Sequence, residues 1–207
     1  MNRAIRIAGD LRPRAHAFLS DTAGLAAIEA ALILPVALML MSLVVFGGQA
    51  YGVQRKVTLA ATTVADIFAQ ANNTNASTIT LPQLNQILAY PNLILYPYNG
   101  SGAAVVVSQL LVSVNQNGSA TGTVKGSWAN ANGTARACNQ QVPVDPSIAS
   151  AFASGATNTY VVLGEVQYPF QPTGIYFQVG SFNLHDSIIM IPRVASPITV
   201  DSTPQCG

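Results

Sequence analysis

From Leu25 to Gln54 the chain reads LAAIEAALILPVALMLMSLVVFGGQAYGVQ, an apolar run with one charge, Glu29. Ala30 to Gln54 is 25 residues without a charge, closed by Arg55-Lys56. A bilayer-spanning helix needs about 20 such residues. At about 1.5 Å per residue the whole run reaches roughly 45 Å, more than the roughly 30 Å of hydrocarbon. The pattern predicts one transmembrane helix over 25–54. Beyond it, Val57, Ala60, Ala61, Val64, Ile67 and Phe68 keep the i, i+3, i+4, i+7 spacing of an apolar stripe. The same helix should continue over 55–71 as an amphipathic segment.

Farther along, the period changes. Asn72 to Ser77 is a polar loop. Thr80 can cap a short helix with Pro82 in its first turn and Leu84, Ile87 and Leu88 on its apolar face. Val105–Val114 is β-branched and loosely alternating, Asn115-Gln116-Asn117-Gly118 has turn chemistry, and Thr121–Trp128 can return as a hairpin. Tyr160–Tyr168 and Asp186–Val194 read as two further strands. The expected fold is α+β: a long N-terminal transmembrane helix followed by a small antiparallel β-sheet domain over 72–207. Its sheet, of about four strands, should pack on the second half of the helix.

Composition narrows the class. Only 8% of the 207 residues are charged and half are hydrophobic, against about 25% charged in ordinary soluble domains. A disordered chain is poor in apolar residues, and a nucleic-acid binder carries a basic stripe; nine cations against eight anions supply none. The charge is uneven, however. Residues 1–24 hold Arg3, Arg6, Arg12 and Arg14 against Asp10 and Asp21, a basic leader before the span. Positive flanks stay cytoplasmic, so the N-terminus is placed in the cytoplasm and the C-terminal domain outside. A secretory signal peptide has a shorter apolar region followed by small residues; here Thr22-Ala23-Gly24 precede the run.

Cys138 and Cys206 suit an oxidising compartment and can form one bridge, the other reading being two free thiols. Two cysteines are too few for a zinc site, and no metal or cofactor motif is present. Neither are the hydrolase and phosphate-loop signatures G-x-S-x-G, S-x-x-K or H-E-x-x-H. His16 lies in the leader. His185 and Asp186 are adjacent, and adjacent strand residues point to opposite faces, so His185 reads as a surface residue at a strand start. Asp66, Asp145, Glu165, Asp186 and Asp201 show no paired spacing. No enzymatic activity is expected.

The segment that carries most information is Asp21-Thr22-Ala23-Gly24-Leu25-Ala26-Ala27-Ile28-Glu29 and the apolar helix after it. A basic leader, a glycine, a glutamate five positions later and a long apolar helix resemble a type IV prepilin-like processing site. The fuller string GLAAIEAALILPVALML, with Ala26-Ala27-Ile28-Glu29 and Leu34-Pro35, resembles the opening of the TadE/TadG-like pilins of tight-adherence pili. The resemblance extends through Val64-Ala65-Asp66-Ile67-Phe68-Ala69-Gln70 and returns at Ile191-Pro192-Arg193. It departs at Ala30, where such pilins often carry an aromatic residue. It implies cleavage between Gly24 and Leu25 by a prepilin peptidase. It also implies contacts with other pilins or pseudopilins through the helix, an inner-membrane assembly platform as partner, and a periplasmic or, after assembly, extracellular body. The chain's length implies a minor pilin or pseudopilin, acting in assembly, initiation or adhesion.

The residues have a physical reading of their own. A carboxylate at mid-membrane costs about 2.5–3.5 kcal/mol on insertion scales, less near an interface. Glu29 stands one turn inside the span. After a cut at Gly24-Leu25 the new α-ammonium of Leu25 would lie one turn away on the same face, able to pair with its own Glu29 or a neighbour's. Intermolecular pairing would fix axial register; the alternative is a glutamate that snorkels to the headgroups. Ala23, Ala27 and Ala31, and the pair Gly48 and Gly52, have the four-residue spacing that lets helices approach in lipid, or reflect alanine richness alone. Pro35 removes one backbone hydrogen bond, and a kink is expected there. A different class remains open: an uncleaved, single-pass membrane-anchored periplasmic binding module, for which Gly24 and Glu29 would not matter.

Overall fold

The computed structural model describes residues 22–70, 78–114, 119–145, 159–172, 180–193, 197–201 and 206. Residues 1–21 of the basic leader, the 72–77 loop, the 115–118 turn and Ala71 lie outside them. The chain divides into two compact units, Met1–Gly48 and Gln49–Gly207.

In the first unit the described residues are the start of helix α1, Thr22–Gln70. From Gly24 to Gly48 no residue is buried, and large apolar side chains stand in the open: Leu32 is 70% exposed and Val44 75%. A helix hydrophobic all round, with no protein against it, is built for an apolar medium. Residues 25–48 rise roughly 36 Å, enough for one crossing. The Ser42 hydroxyl is satisfied by the Leu38 carbonyl at 2.8 Å, so it brings no unpaired donor into lipid. Among the described residues one helix, near the N-terminus, is long and apolar enough to be a single-pass anchor. The helix is assigned without interruption through Pro35, although Pro35 withholds a hydrogen bond from the Ala31 carbonyl.

The second unit begins where burial begins. Of the predicted stripe, Val57, Ala60, Ala61, Val64 and Phe68 are at most 1% exposed and Ile67 is half-buried, and Val53 and Ala65 join the buried face. After α1 come β1 (Thr78–Ile79), α2 (Leu81–Ala89), α3 (Pro91–Ile94), a 3-10 turn (Gly100–Gly102), β2 (Ala104–Val114) and β3 (Ala120–Ala129). Then follow β4 (Gln141–Val144), β5 (Thr159–Phe170), β6 (Phe182–Met190) and β7 (Thr199–Val200). Five strands form an antiparallel sheet in the order β4-β3-β2-β5-β6. β1 and β7 make a separate parallel pair. α2 forms as expected: the Thr80 N–H donates to the Gln83 side-chain oxygen at 3.0 Å, Pro82 lies in the first turn, and Leu84, Ile87 and Leu88 are buried.

The strand period of two sorts the sheet into two faces. Val105, Val107, Trp128, Val162 and Val166 share a core with the α1 stripe, α2 and the β1-β7 pair. Leu110, Val112, Val124, Val142, Val144, Val161 and Leu163 form a second core on the other face. Gly164 makes the first face possible. A Cβ there would stand 2.8 Å from Ala65 Cβ and 3.0 Å from the Ala61 carbonyl oxygen, so α1 lies on β5 at backbone distance. Phe68 meets Trp128 with ring centroids 5.5 Å apart.

One strand expectation needs correction, and two pairings are not foreseen by the pattern. The last long strand is Phe182–Met190 rather than 186–194, because Phe182, Leu184 and Asp186 already pair with β5. β4 is a fifth strand beside the four expected. It carries Pro143, which lacks a ladder donor, and is tolerated because β4 is the sheet's edge. The β1-β7 pair, two residues long, joins positions more than 120 apart and has no local signal.

Candidate functional site

The junction residues all fall on α1. The described helix runs from Thr22, so the Gly24-Leu25 peptide lies within helix rather than before it. Glycine is about 1 kcal/mol poorer than alanine in a helix. Gly24 therefore weakens the helix locally. No atom lies within 4 Å of a Cβ built on Gly24. Leu25 is 59% exposed, and Ala27, Glu29 and Ala31 are exposed as well. Gly48 and Gly52 likewise meet nothing within 4 Å, leaving their backbone open to a neighbour. Glu29 is the sole charged residue from Thr22 to Gln54.

Asp66 and Arg193, which belong to the two distant segments of the TadE/TadG resemblance, are brought together. Arg193 Nη2 lies 2.8 Å from Asp66 Oδ1, and the Arg193 N–H donates to the Ala69 carbonyl at 3.1 Å. The end of β6 is thereby tied to the end of α1.

A second candidate lies on the sheet face away from α1. A cavity of about 390 Å³ has Ala104, Val106, Glu165, Gln167 and His185 as its floor and residues 132–137 as its wall. Asn130 builds the wall: its side chain accepts from the N–H groups of Val105 and Gly133 at 3.0 Å each and donates to the Ala103 carbonyl at 2.7 Å. The Arg136 N–H donates to Ser127 Oγ at 2.9 Å, and Ser127 pairs with buried Ser108 at 2.9 Å. This holds the Arg136 guanidinium over Glu165, to which Nε and Nη2 donate at 2.8 and 2.6 Å. The bidentate contact raises the Arg136 pKa further, against a smaller opposing effect of burial. His185 Nε2 is 4.0 Å from the same carboxylate.

Cys138 and Cys206 are joined, with Cα atoms 5.5 Å apart. The bridge clips the end of this wall to the C-terminal segment, and the Cys206 N–H also donates to the Lys125 carbonyl at 2.9 Å. Chemically the cavity offers amides, one neutralised ion pair and an imidazole. Among the described residues no group of three or more His, Cys, Asp or Glu is placed to hold a metal.

Reading the sequence missed the Arg136–Glu165–His185 cluster. Glu165 and His185 are diagonal neighbours on paired strands, which a correct β6 register reveals, whereas Arg136 sits in a loop 29 positions from Glu165 with no local mark. The opposite-face expectation for His185 and Asp186 holds: Asp186 turns to the Thr58 hydroxyl of α1. Lys56, counted as a flanking cation, is engaged inside the domain, donating to the Ile94 and Tyr96 carbonyls at the end of α3. Comparison with protein-family models, curated proteins and solved structures returned no match.

Proposed function

We propose that this chain is a pilin-like subunit, a minor pilin or pseudopilin of a tight-adherence pilus or related secretion apparatus. It is inserted in the inner membrane with the second unit on the periplasmic side. The observation that carries the reading is a lone carboxylate, Glu29, on a bare apolar helix, five positions after Gly24. Prepilin peptidase removes residues 1–24 at the cytoplasmic face, aided by the helix-weakening Gly24. The freed Leu25 ammonium then stands one turn from Glu29. Leaving lipid for a helical bundle buries Glu29, and a buried unpaired charge costs several kcal/mol. Pairing with a neighbour's ammonium removes that cost in one axial register only. The open Ala27, Ala31, Gly48 and Gly52 positions let neighbouring helices approach. The Asp66–Arg193 tie supports the reading, since it gives both outlying segments of the resemblance one structural task.

The test is Glu29→Ala in cells that make the filament. The variant should be cleaved like the parent yet be missing from sheared filaments; normal incorporation would overturn the register role. The cavity at Arg136 and Glu165 favours one alternative, the uncleaved anchored binding module. In that case Arg136→Ala would abolish function while Gly24→Ala and Glu29→Ala leave it unchanged.

A further inference from the structure

We infer that the cavity bounded by Arg136, Glu165 and His185 binds a neutral saccharide, recognised through hydroxyls on neighbouring carbons. The inference concerns the second unit alone and does not rest on cleavage or assembly. Strand register lays the floor. Ala104, Gln167 and His185 share one rung of β2, β5 and β6, and Val106 and Glu165 share the next rung on that face. The wall is pinned beside it. Asn130 and Ser127 accept from its backbone N–H groups, and Asn132 Nδ2 donates to the Ser101 and Ala103 carbonyls at 2.6 and 3.2 Å. A volume of about 390 Å³ is thus held open, within the range of small-molecule sites. A site formed in advance spends little of its binding energy on ordering itself.

Charge selects the ligand. Arg136 Nε and Nη2 donate to the two Glu165 oxygens, so the pair is neutral as a whole. An added anion would be set against Glu165, and an added cation against Arg136. The fork leaves Nη1 and the second N–H of Nη2 as donors, and each carboxylate oxygen keeps a further lone pair. Donors and acceptors therefore stand side by side. A hydroxyl both donates and accepts, and two on neighbouring carbons present that pattern along one edge. A peptide amide does not, because its N–H and C=O point to opposite sides of a planar unit. The rest of the lining agrees. Gln167 and His185, both exposed, add donors and acceptors, and Asn132, its N–H groups engaged, adds its side-chain oxygen. Ala104, Val106 and Ala135 supply small apolar patches on which the C–H face of a ring can rest. A lock for the wall alone needs the Arg136–Glu165 contact but not the amides around it.

The test uses the full chain in phosphatidylcholine nanodiscs. It reads saturation transfer by NMR to the methyl glycosides of glucose, galactose and mannose, with glucuronate and glucosamine as the charged comparison. Gln167→Leu removes a floor amide that takes no part in the contacts pinning the wall. Arg136→Lys keeps the charge but loses the fork. Trp128, buried against Phe68, reports by its emission that each variant has the parent's fold. The inference expects the parent to bind at least one of the methyl glycosides. Gln167→Leu should weaken that binding roughly two- to tenfold, the worth of one hydrogen bond, and Arg136→Lys should weaken it further. Absence of transfer to all three glycosides, or equal affinity in the parent and Gln167→Leu, overturns the site. Affinity in a folded Arg136→Lys equal to the parent's overturns hydroxyl recognition by the ion pair. Equal or stronger transfer to glucuronate or glucosamine overturns the neutral ligand.

Discussion

Gly164→Ala probes the contact on which the second unit is built. A Cβ at position 164 would meet Ala65 Cβ at 2.8 Å and the Ala61 carbonyl at 3.0 Å. Ordinary carbon contacts lie at about 3.5–4.0 Å, so helix and sheet must part by roughly 1 Å. Val57, Val64 and Val162 on either side are fully buried and would lose contact as the gap opens. Overpacking of this kind costs about 1–3 kcal/mol. Alanine recovers roughly 0.5–1 kcal/mol of the entropy a strand glycine loses on folding, leaving a net loss of about 1–2 kcal/mol. The assay is urea unfolding of the detergent-solubilised chain, followed by Trp128 emission, which reports the same core. Gly180→Ala, with nothing within 4 Å of its Cβ, is the control and should match the parent. Ala65→Gly should rescue Gly164→Ala only in part, because the Ala61 carbonyl remains in the way. A Gly164→Ala midpoint equal to or above the parent's would refute the close approach of α1 to β5.

Further outcomes follow from particular groups. Cys138→Ser with Cys206→Ser removes a crosslink spanning 68 positions, worth roughly 4 kcal/mol on chain-entropy grounds; thermal unfolding with and without reductant should show the parent, not the variant, losing stability. Gln109 is 4% exposed and its side-chain oxygen has no partner, so Gln109→Met should hold or raise the urea midpoint, since an unsatisfied buried group costs about 1–3 kcal/mol. Burial, and then nearby Tyr98, raise the Tyr168 pKa. Above about pH 10, the ordinary tyrosine value, the unfolded chain gives up this proton before the folded one does. Stability should therefore fall with rising pH from there up to the raised folded value, and Tyr168→Phe should flatten that fall in a melting series.

Much of the fold is legible in the residues because its signals are local. The apolar run, the stripe from Val57 to Phe68, the Thr80 cap with Pro82 and the β2-β3 hairpin each declare themselves within a short window. What escapes is set by distance along the chain or by a residue that argues against its own element. Pro143 disguises β4, and only the edge position explains it. Arg136 meets Glu165, and Asp66 meets Arg193, through topology alone. Lys56 resembles a topogenic charge until α3 is seen to place carbonyls beside it. Gly24 and Glu29 were visible from the start as a pattern, yet the helix reaching back to Thr22 was not: alanine and leucine extend it through the glycine.

The central claim is that the chain is converted from a membrane anchor into an assembling subunit by a cut at one peptide bond. Intact-mass measurement of the protein recovered from cells with active prepilin peptidase tests it most directly. The account predicts a chain beginning at Leu25, and an uncut chain when Gly24→Ala is expressed instead. Full-length protein, arginine leader attached, inside normally assembled filaments would contradict it.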